Sequence, residues 1–262
     1  MKLGLKDCII DKTKHKTIEE QREFYAKSMR EMAHGDDDAN RWELYGKTSS
    51  RLVEAHKQGD IHQRDVSWSP TKQMRTAIDS ELSVKEIFSS LVSNFDDNKI
   101  SLSRAVAKTD TGSKALKIAA GEISYPFIEI GQGFATALQY RVVACPWPLS
   151  RRDYFILQDY VLRDQGEDQA APWLYTINND VNHPYFAPRN GFVRGSVRNQ
   201  GLVCEPKVRS AAADADNGGN ATKLTWLVNV DLGGSLPSAF ATRIMEMMSR
   251  SWKEQRSNSQ PT

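Results

Sequence analysis

Apolar residues recur at helical spacing in three segments of this chain and at strand-like spacing through most of the remainder. The first segment opens with Thr17 and Glu20 as a capping box, and Ile18, Tyr25, Met29 and Met32 then recur at roughly helical spacing, which predicts an amphipathic helix over residues 18–33. Gly35 and the run Asp36, Asp37, Asp38 end it. RWELYG and RLVEAH read as short strands, with Gly59 and Asp60 as a turn signal. KQMRTAIDSEL reads as a strand that runs directly into the second helix. There Ser83 and Glu86 form another capping box, Leu82 stands where a staple to Ile87 would form, and Val84, Ile87, Phe88, Leu91, Val92 and Phe95 make one apolar face.

Residues 96–114 are polar and read as loop or edge structure. Six strand-like stretches follow with no helical period between them: KALKIAAGEI, ATALQYRVVAC, DYFILQDYVLR, PWLYTINND, NGFVRGSVRNQGLVCEP and TKLTWLVNVDL. SAAADADNGGN, residues 210–220, has the Ala, Asp, Asn and Gly content of a hairpin loop. The third helix follows GGSLP, with Pro237 in its first turn, where a missing N–H costs nothing, and Phe240, Ile244, Met247, Met248 and Trp252 as its stripe. This order predicts an α+β fold in which an antiparallel sheet covers the stripe of the C-terminal helix. A sheet curved round a helix leaves an interior where a ligand could sit.

The stretch CPWPLSRRDY, residues 145–154, is the sharpest corner. Two prolines cannot donate to a strand ladder and hold φ near −65°, so they stop the strand before it and force a reversal. Asp153 with an adjacent arginine is expected to cap the turn by charge-assisted hydrogen bonds.

Composition narrows the function. At 262 residues, 39% hydrophobic and 26% charged, the chain reads as one soluble core, and no apolar stretch approaches the roughly 18 residues of a membrane span. A net charge of +2 gives no reason to propose nucleic acid as a partner. The first 16 residues carry five lysines and two aspartates but no apolar core of a secretory signal, and three cysteines (Cys8, Cys145, Cys204) form no CxxC; both features predict a cytoplasmic protein with free thiols. The five histidines stand in no metal-binding spacing, and GxSxG, GxGxxG and P-loop motifs are missing from the sequence, so neither catalytic residues, metal nor cofactor is expected.

Three stretches in order carry a family resemblance. PWPLSRRDY resembles the PWPxSxRDF corner of START (steroidogenic acute regulatory protein-related lipid transfer) domains. HPYFAPRNGFVRG is similar to that family's HPxxPPxxGxVR stretch, and KLTWLVNVDLGGSLPSAF to its last strand and the entry to its C-terminal helix. The resemblance spans roughly residues 41–255, with residues 1–40 as an extension and helix packed on the domain and 256–262 as a tail. It implies a helix-grip fold, a curved antiparallel sheet round a long C-terminal helix, enclosing a tunnel for one lipid carried between membranes or sensed. The alternative is a small-molecule enzyme of the wider helix-grip superfamily, cyclase-like or hydrolase-like.

Alternation along the strands divides residues between faces. Tyr154, Ile156 and Gln158 form one face with Tyr160 and Leu162; the other, with Asp153, Asp159 and Arg163, is expected outward because of its three charges. Counting back across the corner by the family pattern, Gln139, Arg141 and Val143 face inward. Polar groups there need partners, which could be a headgroup, water, or a mutual Gln–Arg network. The family's sterol binders carry an acid and an arginine at the positions of Gln139 and Gln158, and its choline-lipid binders an aromatic cage, in which Arg141 would stand at a tryptophan position. An anionic phospholipid or fatty-acid-like ligand therefore fits better than a sterol or choline lipid. The resemblance makes the C-terminal helix, with Phe240, Ile244, Met247 and Met248, the tunnel's lid, and the protein a monomer in transient contact with membrane surfaces.

Overall fold

The computed structural model describes residues 3–34, 43–44, 61–64, 73–93, 95, 123–143, 150–163, 172–182, 186, 190–207 and 221–234. A 3-10 turn at Leu5–Cys8 leads to helix α1 (Ile18–His34), and residues 84–93 form helix α2. The strands are β1 (Glu43–Leu44), β2 (Ile61–Arg64), β3 (Gln73–Ser80), β4 (Ile123–Gly131), β5 (Phe134–Val143), β6 (Arg151–Arg163), β7 (Trp173–Asp180), β8 (Phe192–Arg194), β9 (Ser196–Val197), β10 (Gly201–Pro206), β11 (Thr222–Val228) and β12 (Val230–Asp231). They build a curved sheet in the order β1-β2-β3-β11-β10-β7-β6-β5-β4. Its pairs along that path are antiparallel, β8 adds to β6 in parallel, and β9 with β12 forms a small second sheet.

Both expected capping boxes form in part or whole. Thr17 Oγ1 accepts from the Glu20 N–H at 3.1 Å, while the Glu20 carboxylate takes the Lys16 N–H at 2.7 Å, one residue earlier than the usual box. Ser83 and Glu86 close theirs reciprocally. Leu82 does not become buried beside Ile87 as a staple would suggest; it is 45% exposed.

Two strands went unforeseen for physical reasons. β4 carries Pro126, which reads as a stop, yet the strand lies at the sheet edge, and its register shifts between Ser124 and Phe127, so a bulge absorbs the proline. β2 is IHQR, with no apolar alternation, and pairs with both β1 and β3. RLVEAH, most of KALKIAAGEI, the 210–220 loop and everything from residue 235 lie outside the described residues, although β10 and β11 pair antiparallel on either side of that loop.

The sheet is covered on both faces. On the inner face, α2 sets Val84 and Ile87 against Leu174, Leu202, Cys204 and Leu224, and Phe95 packs against Tyr125, Ala135 and Ala137. On the outer face, the N-terminal segment and α1 bury Cys8, Ile18, Tyr25, Met29 and Met32 against β5, β6, β7, β10 and β11. The outer residues of β6 are therefore not solvent-facing, contrary to the expectation from their charges. Phe155 and Leu157 are buried there, and so are both aspartates.

Each buried aspartate is paired across long sequence distances. Asp159, 2% exposed, accepts from Arg22 of α1 at 3.0 and 3.2 Å and from Thr136 Oγ1 at 2.5 Å; Arg22 Nη2 also donates to Thr136 at 2.7 Å. The guanidinium carbon lies 4.2 Å from the centre of the Phe134 ring. A buried charge is tolerated when it is paired and its remaining hydrogen-bonding positions are filled, and this triangle does both. Asp153 likewise receives a two-pronged grip from Arg194 at 2.9 and 2.9 Å and the Tyr140 hydroxyl at 3.0 Å. Its partner is thus Arg194 of β8, not an arginine at the corner; the adjacent Arg152 turns to the carbonyls of Ser150 and Leu232.

Candidate functional site

Strands β5 and β6 set the candidate site. Their register pairs Ala137 with Gln158, Gln139 with Ile156, Arg141 with Tyr154, and Val143 with Arg152. Directly paired residues on antiparallel strands point to the same side, so Gln139, Arg141, Tyr154, Ile156 and Gln158 share one face. This is the face that α2 packs on, as Tyr160 of the same series meets the Phe95 ring at 4.7 Å between centroids.

Gln139 is 4% exposed, and its amide nitrogen lies 3.0 Å from the Tyr125 hydroxyl and 3.2 Å from Gln158 Oε1. The buried amide is thus met by a phenol and a second amide, both neutral. Arg141 lies outside this trio and is exposed. The mutual network weighed from the sequence is therefore Gln–Gln–Tyr in the structure, with tyrosine where an arginine was considered. Burial raises the Tyr125 pKa, an effect that the Gln139 hydrogen bond and the positive charge of Arg141 partly offset. Tyr125 escaped sequence reasoning because it sits next to Pro126 on the unforeseen strand.

Tyr154 and Ile156 join Met74, Val197, Val228 and Val230 in an apolar cluster at one end of this face. Tyr154 fits because the residue above it is Gly195, where an added Cβ would come within 2.1 Å of the ring. Phe240, Ile244, Met247 and Met248 lie outside the described residues. Both described cysteines are buried, and burial pushes the Cys8 thiol far above its ordinary range, so it is inert as a nucleophile. Among the described residues, no His, Cys, Asp and Glu side chains gather as a metal site, and no helix is long and apolar enough to cross a membrane.

Among solved structures, the fold is similar to that of human STARD10. The crystal structure of human STARD10 is 16% identical and superposes with a TM-score of 0.54, covering 87% of this chain and 75% of that one. Human StAR-related lipid transfer protein 5 is 18% identical over 85% of this chain and 86% of that chain, with a TM-score of 0.48. The lipid transfer and protein localization domain of human StarD13 is 15% identical over 92% of this chain and 97% of that one, also with a TM-score of 0.48. No curated protein matches the sequence. The START domain family, whose members are in general lipid-binding or lipid-transfer proteins and not enzymes, has a sequence model that matches residues 128–260. Since that match takes in half of the chain, the protein belongs to the START domain family.

Proposed function

We propose that this protein holds one lipid molecule between the inner face of the sheet and the C-terminal segment, and carries it between membranes. The headgroup would be anionic, a phosphate or carboxylate. One observation carries the preference: Gln139 is satisfied by Tyr125 and Gln158, whereas Arg141, two residues along the same face, is exposed and charged. A guanidinium offers five donors in a planar fork that matches phosphate and carboxylate, and it repels a quaternary ammonium. Tyr154, Ile156 and Val143 would line the acyl portion. In this reading Phe240, Ile244, Met247 and Met248 face the chains from a lid, where two adjacent methionines suit repacking round different acyl lengths. The carrier would work as a monomer in the cytoplasm, touching membranes only to load and unload.

Mass spectrometry of lipid copurifying with the protein, followed by vesicle-to-vesicle transfer of phosphatidic acid and phosphatidylcholine, tests this. The expected result is a bound anionic lipid and faster transfer of phosphatidic acid, with Arg141→Gln removing about tenfold of that preference, the size of one charged hydrogen bond. An empty protein that moves neither lipid would overturn the carrier reading. Equal preference in wild type and Arg141→Gln would overturn the role of Arg141.

A further inference from the structure

A cleft of about 660 Å³ lies on the other side of the molecule from the Gln139 trio, between the N-terminal turn, α1, and the segment from β7 to β9. Its volume falls in the usual range for small-molecule pockets. Its lining is apolar at Ile10, Phe24, Tyr25 and Val181 and polar at Asn179, Asp180, Ser196, Arg198 and Asn199, and Asp11 and Lys14 stand at the turn.

Phe24 is the unusual member. It is 52% exposed, although its ring is fixed by two aromatic neighbours, His15 and Tyr25, each with centroids 5.2 Å away. A large ring held rigidly at the mouth of a cleft, half in water, is a stacking platform already ordered for a flat partner. The polar lining is fixed as well. Asp180 accepts from Ser196 Oγ at 2.5 Å and from the Val197 N–H at 2.6 Å, and Asn179 accepts from the Asn199 N–H at 2.6 Å. Asn199 holds a φ of 50°, a backbone conformation that asparagine tolerates better than most residues.

The charges on the cleft are not equivalent. Both carboxylates take their short hydrogen bonds from neutral donors, Asp180 as above and Asp11 from the Thr13 N–H at 3.0 Å and hydroxyl at 2.6 Å. The cations sit farther away: Lys14 Nζ is 3.2 Å from Asp11 and Arg198 Nε is 3.8 Å from Asp180, with side chains 71% and 53% exposed. Both long side chains lie on the lining of the cleft and reach solvent. Arg194, the third cation on the lining, is held by Asp153.

We propose that the cleft is a second binding site, for a small anion built on a flat ring, which would stack on Phe24 and place its charge between Lys14 and Arg198. Gly195 is common to this cleft and to the packing of Tyr154.

The probe is 1-anilinonaphthalene-8-sulfonate, a flat aromatic anion, titrated by fluorescence into wild type, Phe24→Ser, Arg198→Gln and Arg141→Gln, with circular dichroism confirming that each variant is folded. Both cleft residues are exposed, so these substitutions leave the core intact. The expected result is a binding event weakened about tenfold or more by Phe24→Ser and by Arg198→Gln and unchanged by Arg141→Gln, separate from any event on the inner face that Arg141→Gln weakens. No binding to wild type, or binding that survives both cleft substitutions, would overturn the proposal. Weakening by Arg141→Gln alone would put the dye on the inner face and overturn it too. Because the two sites are read by different variants, failure here leaves the lipid reading standing, and the reverse also holds.

Discussion

The residues that decide this structure are charged ones buried where charge is expensive. Arg22, Asp159 and Thr136 form a closed triangle, and removing one charge strands the other in a dry site. Asp159→Asn is expected to cost about 3–5 kcal/mol in urea unfolding, whereas replacing both ions together, Arg22→Met with Asp159→Leu, should recover most of that loss. A double variant no better than the single one would show that the triangle acts through shape alone. The sequence could not reveal this pairing. Alternation assigned Asp153 and Asp159 to the right side of β6, but their partners lie 41 and 137 positions away, and a charge with an invisible partner reads as a solvent-facing charge.

At the scale of elements, what was legible is what depends on neighbours in sequence. The stripes of α1 and α2, their capping boxes, the hairpin flanks of β10 and β11, and the face of Tyr154, Ile156 and Gln158 follow from local period, whereas Gln139 and Arg141 are set on that face only by the family pattern. β4 and β2 needed knowledge of the sheet, because an edge tolerates a proline and pairing on both sides makes a strand of a polar tetrapeptide. The approach of β10 to β7 is another such fact. An added Cβ at Gly201 would stand 1.8 Å from the Thr176 carbonyl oxygen and 3.1 Å from Met29 of α1, and no flexible side-chain end is there to give way to the first contact. Gly201→Ala should therefore destabilise the protein by about 2 kcal/mol or more, against the small gain that a Gly-to-Ala change brings at an unstrained site. A thermal midpoint equal to wild type would show that the strands can part at little cost.

For the molecule as a whole, four buried acidic groups share one pH response. Burial pushes the Tyr25 phenol up to about 12 from 10.0 and raises Tyr125, Tyr175 and the Cys8 thiol as well. Each holds its proton more tightly when folded, so the stabilisation is complete below the unfolded pKa values and is lost as pH climbs through the folded ones. The window opens near 9.0, the ordinary value for the thiol, and for Tyr25 extends from 10.0 to about 12. Urea midpoints should be flat between about pH 7 and 8.5 and then fall steadily toward pH 11, with a shallower decline in Tyr25→Phe. A midpoint constant to pH 11 would contradict the burial of these groups.

The order in which the chain is made gives the Arg22–Asp159 contact a further meaning. The two residues are separated by 137 positions, so α1 leaves the ribosome long before the strand that neutralises it exists. At roughly 5–20 residues per second, the wait is on the order of ten seconds, during which Tyr25, Met29 and Met32 have no sheet to cover them. This helix is synthesised well before the strands that cover it, and in the meantime its apolar stripe is a natural target for a chaperone.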